Sequence, residues 1–319
     1  MLLQDIKGQD SAINILKHYM AQERLMGGYL FSGSEGVGKK LAALALAKAV
    51  NCTVDQYNGC DNCPSCRKID GNQHPDVHLI DCSDSDIKIE NVRQLQKEIN
   101  LKAYEAKKKI FIVDNAHNFT AEAGNAILKA LEEPPQDTLI ILISDKPTRL
   151  FKTIISRCRV VKFFPLKRQR LEAILKSDYQ LDDLSAHFLA YFSEGRLGRA
   201  LKLKDGGIID ERNNIIDKFI IRRTLNLQTL SLSKKDELRA FLNIISTWFR
   251  DIYLVKAGAS QTDLINVDRK EELLKAAESL SFVSLNGIFE SISDSLSFLE
   301  ANINTKLLLH NLGAEIWQR

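Results

Sequence analysis

At 319 residues, with 45% hydrophobic and 27% charged side chains, the chain is long enough for two or three domains with sizeable cores. A net charge of +3 is too near neutrality for a protein that lives on DNA unaided, although a local basic face stays open. The opening MLLQDIKGQD has no basic stretch followed by an apolar run, and no apolar segment approaches bilayer length. No membrane is therefore expected, and the expected compartment is the cytoplasm.

In chain order, short apolar runs alternate with helical patterns through the first half. The strands predicted are GYLFSG from Gly28, Val77–Asp81, Lys109–Asp114, Thr138–Ser144 and CRVVKFF from Cys158. Helical periodicity separates them at Asp10–Arg24, Lys39–Val50, Glu90–Asn100 and Ala121–Leu131. Such alternation predicts an α/β domain with a parallel sheet covered on both faces. After Pro165 only helical periodicity remains. Leu166 to about Asp205 reads as three short helices, and Gly206-Gly207 as a hinge. Beyond it, a capping box at Ser233 to Asp236 precedes Leu238, Phe241, Leu242, Ile245, Trp248, Phe249, Ile252 and Val255, one apolar stripe on a helix. That stripe packs either within its domain or against another chain. The domains expected are 1–165, 166–206 and 207–319.

FSGSEGVGKK, Phe31 to Lys40, lies between the first strand and a helix, the setting of a phosphate-binding loop. Gly33, Gly36 and Gly38 let backbone N–H groups approach phosphates at the helix N-terminus, and Lys39 would reach the terminal ones. The loop pattern ends in Ser or Thr, whose hydroxyl ligates Mg²⁺; here Lys40 stands instead, and an ammonium repels a metal. Asp114 ends a later strand where an acid would help hold that metal, or merely caps the strand. Asn115 follows, where a glutamate would activate water, and an amide is no base at neutral pH. The loop leaves ATP or ADP binding open, while hydrolysis is not expected.

Cys52, Cys60, Cys63 and Cys66 form C-x7-C-x2-C-x2-C. Four thiolates at this density suit a structural, tetrahedral Zn²⁺ with no open position; an iron–sulfur cluster is the competing reading. Cys82 and Cys158 stand alone as small packing residues.

Gly8-Gln9, FSGSEGVGKK, IFIVDNAHNFT, Asn125 to Pro135 and Ser156-Arg157-Cys158 occur in an order that resembles the AAA+ clamp-loader ATPases of bacterial DNA replication. His74-Pro75-Asp76 and Leu299 to Leu312 are more similar to the delta-prime branch of that family than to its gamma/tau motor branch. The likeness is specific over about residues 1–205 and mainly topological beyond. It implies a RecA-like AAA+ domain carrying a zinc module, a helical lid and a helical collar that oligomerises. It favours zinc over iron–sulfur, and places Ser144 at the sensor position. Gly198 falls where motor subunits carry a nucleotide-reading arginine. Three losses together, at Lys40, Asn115 and Gly198, argue for a non-hydrolysing subunit. The resemblance also puts Arg157 at a subunit edge, as a finger reaching into a neighbour's ATP site. The implied partners are gamma/tau-type motors, a delta-type subunit, the sliding clamp, and primed DNA met through the complex. An active gamma/tau-type ATPase is the alternative, and a zinc-module DNA-binding protein is another.

Overall fold

The computed structural model describes residues 1–81, 85–222, 235–300, 312–313 and 316–317. Two compact units divide them: residues 1–167 with 195–199, and residues 168–194 with those from 200 onward.

The first unit is built on five parallel strands: β1 (Gly27–Ser32), β2 (Val77–Asp81), β3 (Lys109–Asp114), β4 (Thr138–Ser144) and β5 (Cys158–Lys162). They are ordered β2-β3-β4-β1-β5. α1 (Asp10–Ala21) precedes β1, and the crossovers that parallel neighbours need are supplied by α2 (Lys39–Asn51), α3 (Pro64–Asp70), α4 (Ile89–Ile99), α5 (Ala121–Glu132) and the single turn α6 (Lys152–Ile155). Alternate strand residues face opposite layers. Tyr29, Phe31, Ile110, Ile112 and Ile141 pack with Leu16, Ala42 and Leu46 of α1 and α2. Leu30, Phe111, Val113, Ile140 and Leu142 pack with Val92, Leu95, Ile127 and Leu131 of α4 and α5. The continuous apolar runs therefore have the predicted cause in the central strands. The edge strands differ: β5 exposes Arg159 and Val160, because only β1 flanks it.

The second unit is helical among its described residues. It holds α7 (Arg168–Tyr179), α8 (Asp183–Phe192), most of α9 (Leu197–Asp205), α10 (Ile208–Asn214), α11 (Lys235–Lys256), α12 (Lys270–Ser279) and α13 (Phe282–Glu300). Gly207 takes a positive φ of 72° in the turn between α9 and α10. The α11 stripe is resolved in favour of internal packing: Leu238, Phe241, Leu242, Ile245, Trp248, Phe249 and Ile252 are all buried. Asp251, on the same helix, accepts the backbone N–H of Ile265 and Asn266 and ties the loop before α12 to α11. Ser233 of the expected capping box, Cys82, and most of Leu299 to Leu312 lie outside the described residues. No helix among the described residues is long and apolar enough to cross a membrane.

Candidate functional site

The carboxyl ends of parallel strands form the crevice where open α/β sheets place ligands. Here β1 runs into the glycine loop, β4 ends beside it at Ser144, and β3 and β2 end at Asp114 and Asp81. Gly33 N–H donates to the Ser144 carbonyl at 3.3 Å, fastening the loop to β4. Gly38, in a left-handed conformation, is the N-cap of α2, so Lys39 and Lys40 open that helix.

Lys39 is 7% exposed, and its Nζ donates to the carbonyls of Gly33 at 2.5 Å and Ser34 at 2.7 Å. Burial pulls its ammonium below the usual value, against the carboxylates of Asp145, Asp114 and Glu35. Lys40 hydrogen-bonds the Asp81 carboxylate and stands 3.5 Å from Asp114 Oδ2. Burial lowers its affinity for the proton, but its hydrogen bonds to Asp81 and Asp114 and their negative charge outweigh that, so the net shift is upward.

Asp81 is a participant that sequence reasoning missed. It lies in register with Asp114 on the neighbouring strand, and two strands ending in Asp were the signal available. Asn115 has φ 53° and ψ 41°. Asn tolerates this left-handed conformation better than most residues, which gives the amide a backbone reason beside its chemical one. Nearby His117 Nδ1 lies 3.2 Å from Asp145 Oδ1 and 3.4 Å from Ser144 Oγ. Ser144 is buried, and its Oγ accepts the N–H of Lys146 at 3.1 Å.

Gly198 does more than lack an arginine. Its N–H donates to the Gly36 carbonyl at 2.8 Å, so the first turn of α9 closes directly on the glycine loop. A Cβ at 198 would come within 2.9 Å of the Gly36 oxygen, and one at Gly36 within 2.9 Å of the Arg199 nitrogen. Any side chain at either position would push this seam apart.

The four cysteine sulfurs lie within 4.8 Å of one another, and the Cys52 and Cys63 sulfurs are 3.9 Å apart. Sulfurs held at about 2.3 Å around one tetrahedral ion lie about 3.8 Å apart, so the cluster fits a zinc ion. Backbone N–H groups of Asp55, Cys63 and Cys66 point at the sulfurs of Cys52, Cys60 and Cys63. Such bonds favour thiolates. At Cys63, burial raises the thiol, but backbone bonds from Thr53 and Cys66 outweigh it and bring it down to about 6.

The segment is anchored by a lysine that sequence reasoning missed. Buried Lys48 of α2 reaches Asp61 at 2.5 Å and Asp70 at 2.8 Å. His74-Pro75-Asp76 works beside it. Asp76 accepts N–H bonds from Tyr104, Glu105 and Ala106, and holds the loop before β3.

Arg157 sits between α6 and β5. Parallel pairing sets Cys158 opposite Gly28 and Lys162 opposite Ser32. Arg157 thus lies at the amino end of the sheet, and its own glycine loop follows the carboxyl end, about 15 Å of strand away. Its side chain is 34% exposed. Nε donates to Glu132 at 2.7 Å and one terminal nitrogen to the Thr153 carbonyl at 3.0 Å, which fixes the guanidinium's direction. Before it run a 3₁₀ turn (Pro147–Arg149) and then α6.

The strand order, the glycine loop between β1 and α2, and the acid ending β3 define an AAA+-type phosphate-loop fold. Two family profiles match in sequence order: "DNA polymerase III, delta subunit" over residues 8–167, and the C-terminal part of that subunit over residues 208–314. The chain belongs to this DNA polymerase III delta-subunit family. It is 28% identical over 316 residues to the delta' subunit of DNA polymerase III from Bacillus subtilis (strain 168), covering 95% of this chain and 94% of the relative. The tau subunit of Escherichia coli (strain K12) is 34% identical, but the match covers 64% of this chain and 32% of tau. A DNA polymerase III gamma subunit-related protein of Thermotoga maritima shares the fold, with a TM-score of 0.51 at 22% identity, over 96% of this chain and 98% of its own. The chain is a delta'-like member of the clamp-loader family.

Proposed function

We propose that this chain is a delta'-type subunit of the sliding-clamp loader that hydrolyses no ATP itself and donates Arg157 to a neighbouring motor subunit's ATP site. The observation that carries this is the position of Arg157. It is partly exposed, directed by Glu132 and Thr153, and separated by the length of the sheet from the loop of its own chain. An arginine so placed has no phosphate of its own to serve. In trans, its planar fork would neutralise charge on the transferred phosphoryl group, a role worth roughly 10³ to 10⁵ in rate for other fingers.

Asn115 beside Asp114 removes the water-activating carboxylate, and Gly198 closes on the loop instead of offering an arginine. Gly33, Gly36, Gly38, Lys39, Lys40, Asp114 and Ser144 are then a retained cradle. Cys52, Cys60, Cys63 and Cys66 would hold a structural Zn²⁺, which orders their segment and leaves no open coordination position.

The proposal includes gamma/tau-type motors and a delta-type subunit as partners, and the clamp and primed DNA met within the assembly in the cytoplasm. A lid at 166–206 and a collar at 207–319 belong to the same reading. The test is ATP turnover by the purified chain and by the reconstituted loader with and without it. No turnover alone, and a marked fall when the chain is omitted, are expected. Steady turnover by the chain alone would favour the motor reading.

A further inference from the structure

The phosphate-loop fold calls for a divalent ion held by the hydroxyl after the loop lysine and by a strand-end carboxylate. The residues present do not fit one. Asp81 and Asp114 end adjacent strands in register, and the side chain that reaches both is Lys40. Mg²⁺ needs oxygen ligands at about 2.0–2.1 Å in near-octahedral array. An ammonium offers three donors and no lone pair. Two carboxylates ending adjacent strands also concentrate negative charge that a cation between them balances. Lys40 supplies that cation from the first turn of α2. The side chain is half-buried and engaged with both acids, so it does not simply trail into solvent.

We propose that the Lys40 ammonium is the tethered resident cation of the Asp81–Asp114 pair, filling the position of the divalent ion and closing the cradle to metal–nucleotide complexes. The inference rests on the reading of the loop as a retained, non-hydrolysing cradle. It goes further in assigning Lys40 a positive structural duty and Asp81 a place in the site. A second consequence follows: removing the ammonium leaves two facing carboxylates beside a glycine loop, a seat for a divalent ion.

The full chain is assayed with Mn²⁺ and ATP, the ion followed by electron paramagnetic resonance and the nucleotide by equilibrium dialysis. The native chain is expected to bind ATP no better with Mn²⁺ than without. Lys40→Ser is expected to gain Mn²⁺-dependent ATP binding at least about tenfold tighter than the native chain. Adding Asp81→Asn to that variant is expected to abolish the gain. A Lys40→Ser chain that folds and gains nothing overturns the proposal. The native chain supplies a check that needs no variant: its melting temperature in ATP is expected to be the same with Mg²⁺ as without, and an upward shift with Mg²⁺ overturns the proposal. Failure here, with loader turnover still dependent on Arg157, removes the tethered cation alone. ATP turnover by the native chain removes the non-hydrolysing reading itself.

Discussion

At Asp76 a buried carboxylate accepts N–H bonds from three successive residues, Tyr104, Glu105 and Ala106. Burial raises its proton affinity, yet those bonds outweigh it and hold the group below the usual carboxylate range. Hydrogen bonds to charged groups contribute about 1.5–3 kcal/mol each, and they do not add fully. Asp76→Asn is therefore expected to cost about 2–4 kcal/mol in denaturant unfolding; a loss within error of zero would contradict the role given to this residue.

Histidines supply a second residue-level prediction. Burial lowers His74, His78 and His117 from the usual 6.5, despite nearby Glu105, Glu98 and Asp145. Below that pH the unfolded chain binds more protons than the folded one, so stability is present above 6.5 and falls as pH drops through the lowered folded values. Unfolding midpoints measured at pH 7.5 and 5.5 are expected to be lower at 5.5, and a flat profile would count against these burials. Lys39, Lys40 and Asp114 could be read from a motif, because their neighbours in sequence define it, whereas His117 is brought to Asp145 and Ser144 only by the fold. Asp81 and Lys48 could not, since their partners lie 41 and 13 to 22 residues away and only the sheet and α2 bring them together.

Among the elements, β2, β3 and β4 match their predicted bounds, because an apolar run ending in Asp or Ser marks both its length and its exit. The helix α3 was not legible: seven residues with Pro64 at its start carry too little periodicity to show. Its position within the cysteine cluster makes it the element that a metal held there would order most directly. Cys63 caps it by accepting the Cys66 N–H, and Cys66 sits inside it. Purified chain is expected to carry about one zinc ion per molecule, and a strong chelator is expected to lower the melting temperature. A zinc-free chain with the same melting temperature would rule out a structural metal. The α11 stripe shows the opposite limit. Its helical period was plain, but the choice between internal and intermolecular packing depended on α12 and α13, whose own patterns do not state what they cover.

For the whole molecule, the two ends of one sheet carry different duties in this account. The carboxyl end keeps a cradle whose lysines are engaged with the loop carbonyls and with Asp81 and Asp114. The amino end presents Arg157. Such a separation would serve the proposed assembly, in which a neighbouring chain brings phosphates to the second end. The order of motifs suggested that division, and the parallel register of β1 and β5 sets Arg157 and the glycine loop at opposite ends of the sheet. The most direct measurement is steady-state ATP turnover of the reconstituted loader carrying Arg157→Ala in this chain, with assembly checked by sedimentation. A fall of at least about a hundredfold at the composite site, with assembly intact and Arg157→Lys rescuing little, is the expected result. Turnover equal to that of the native loader, in a complex that assembles normally, would contradict the account.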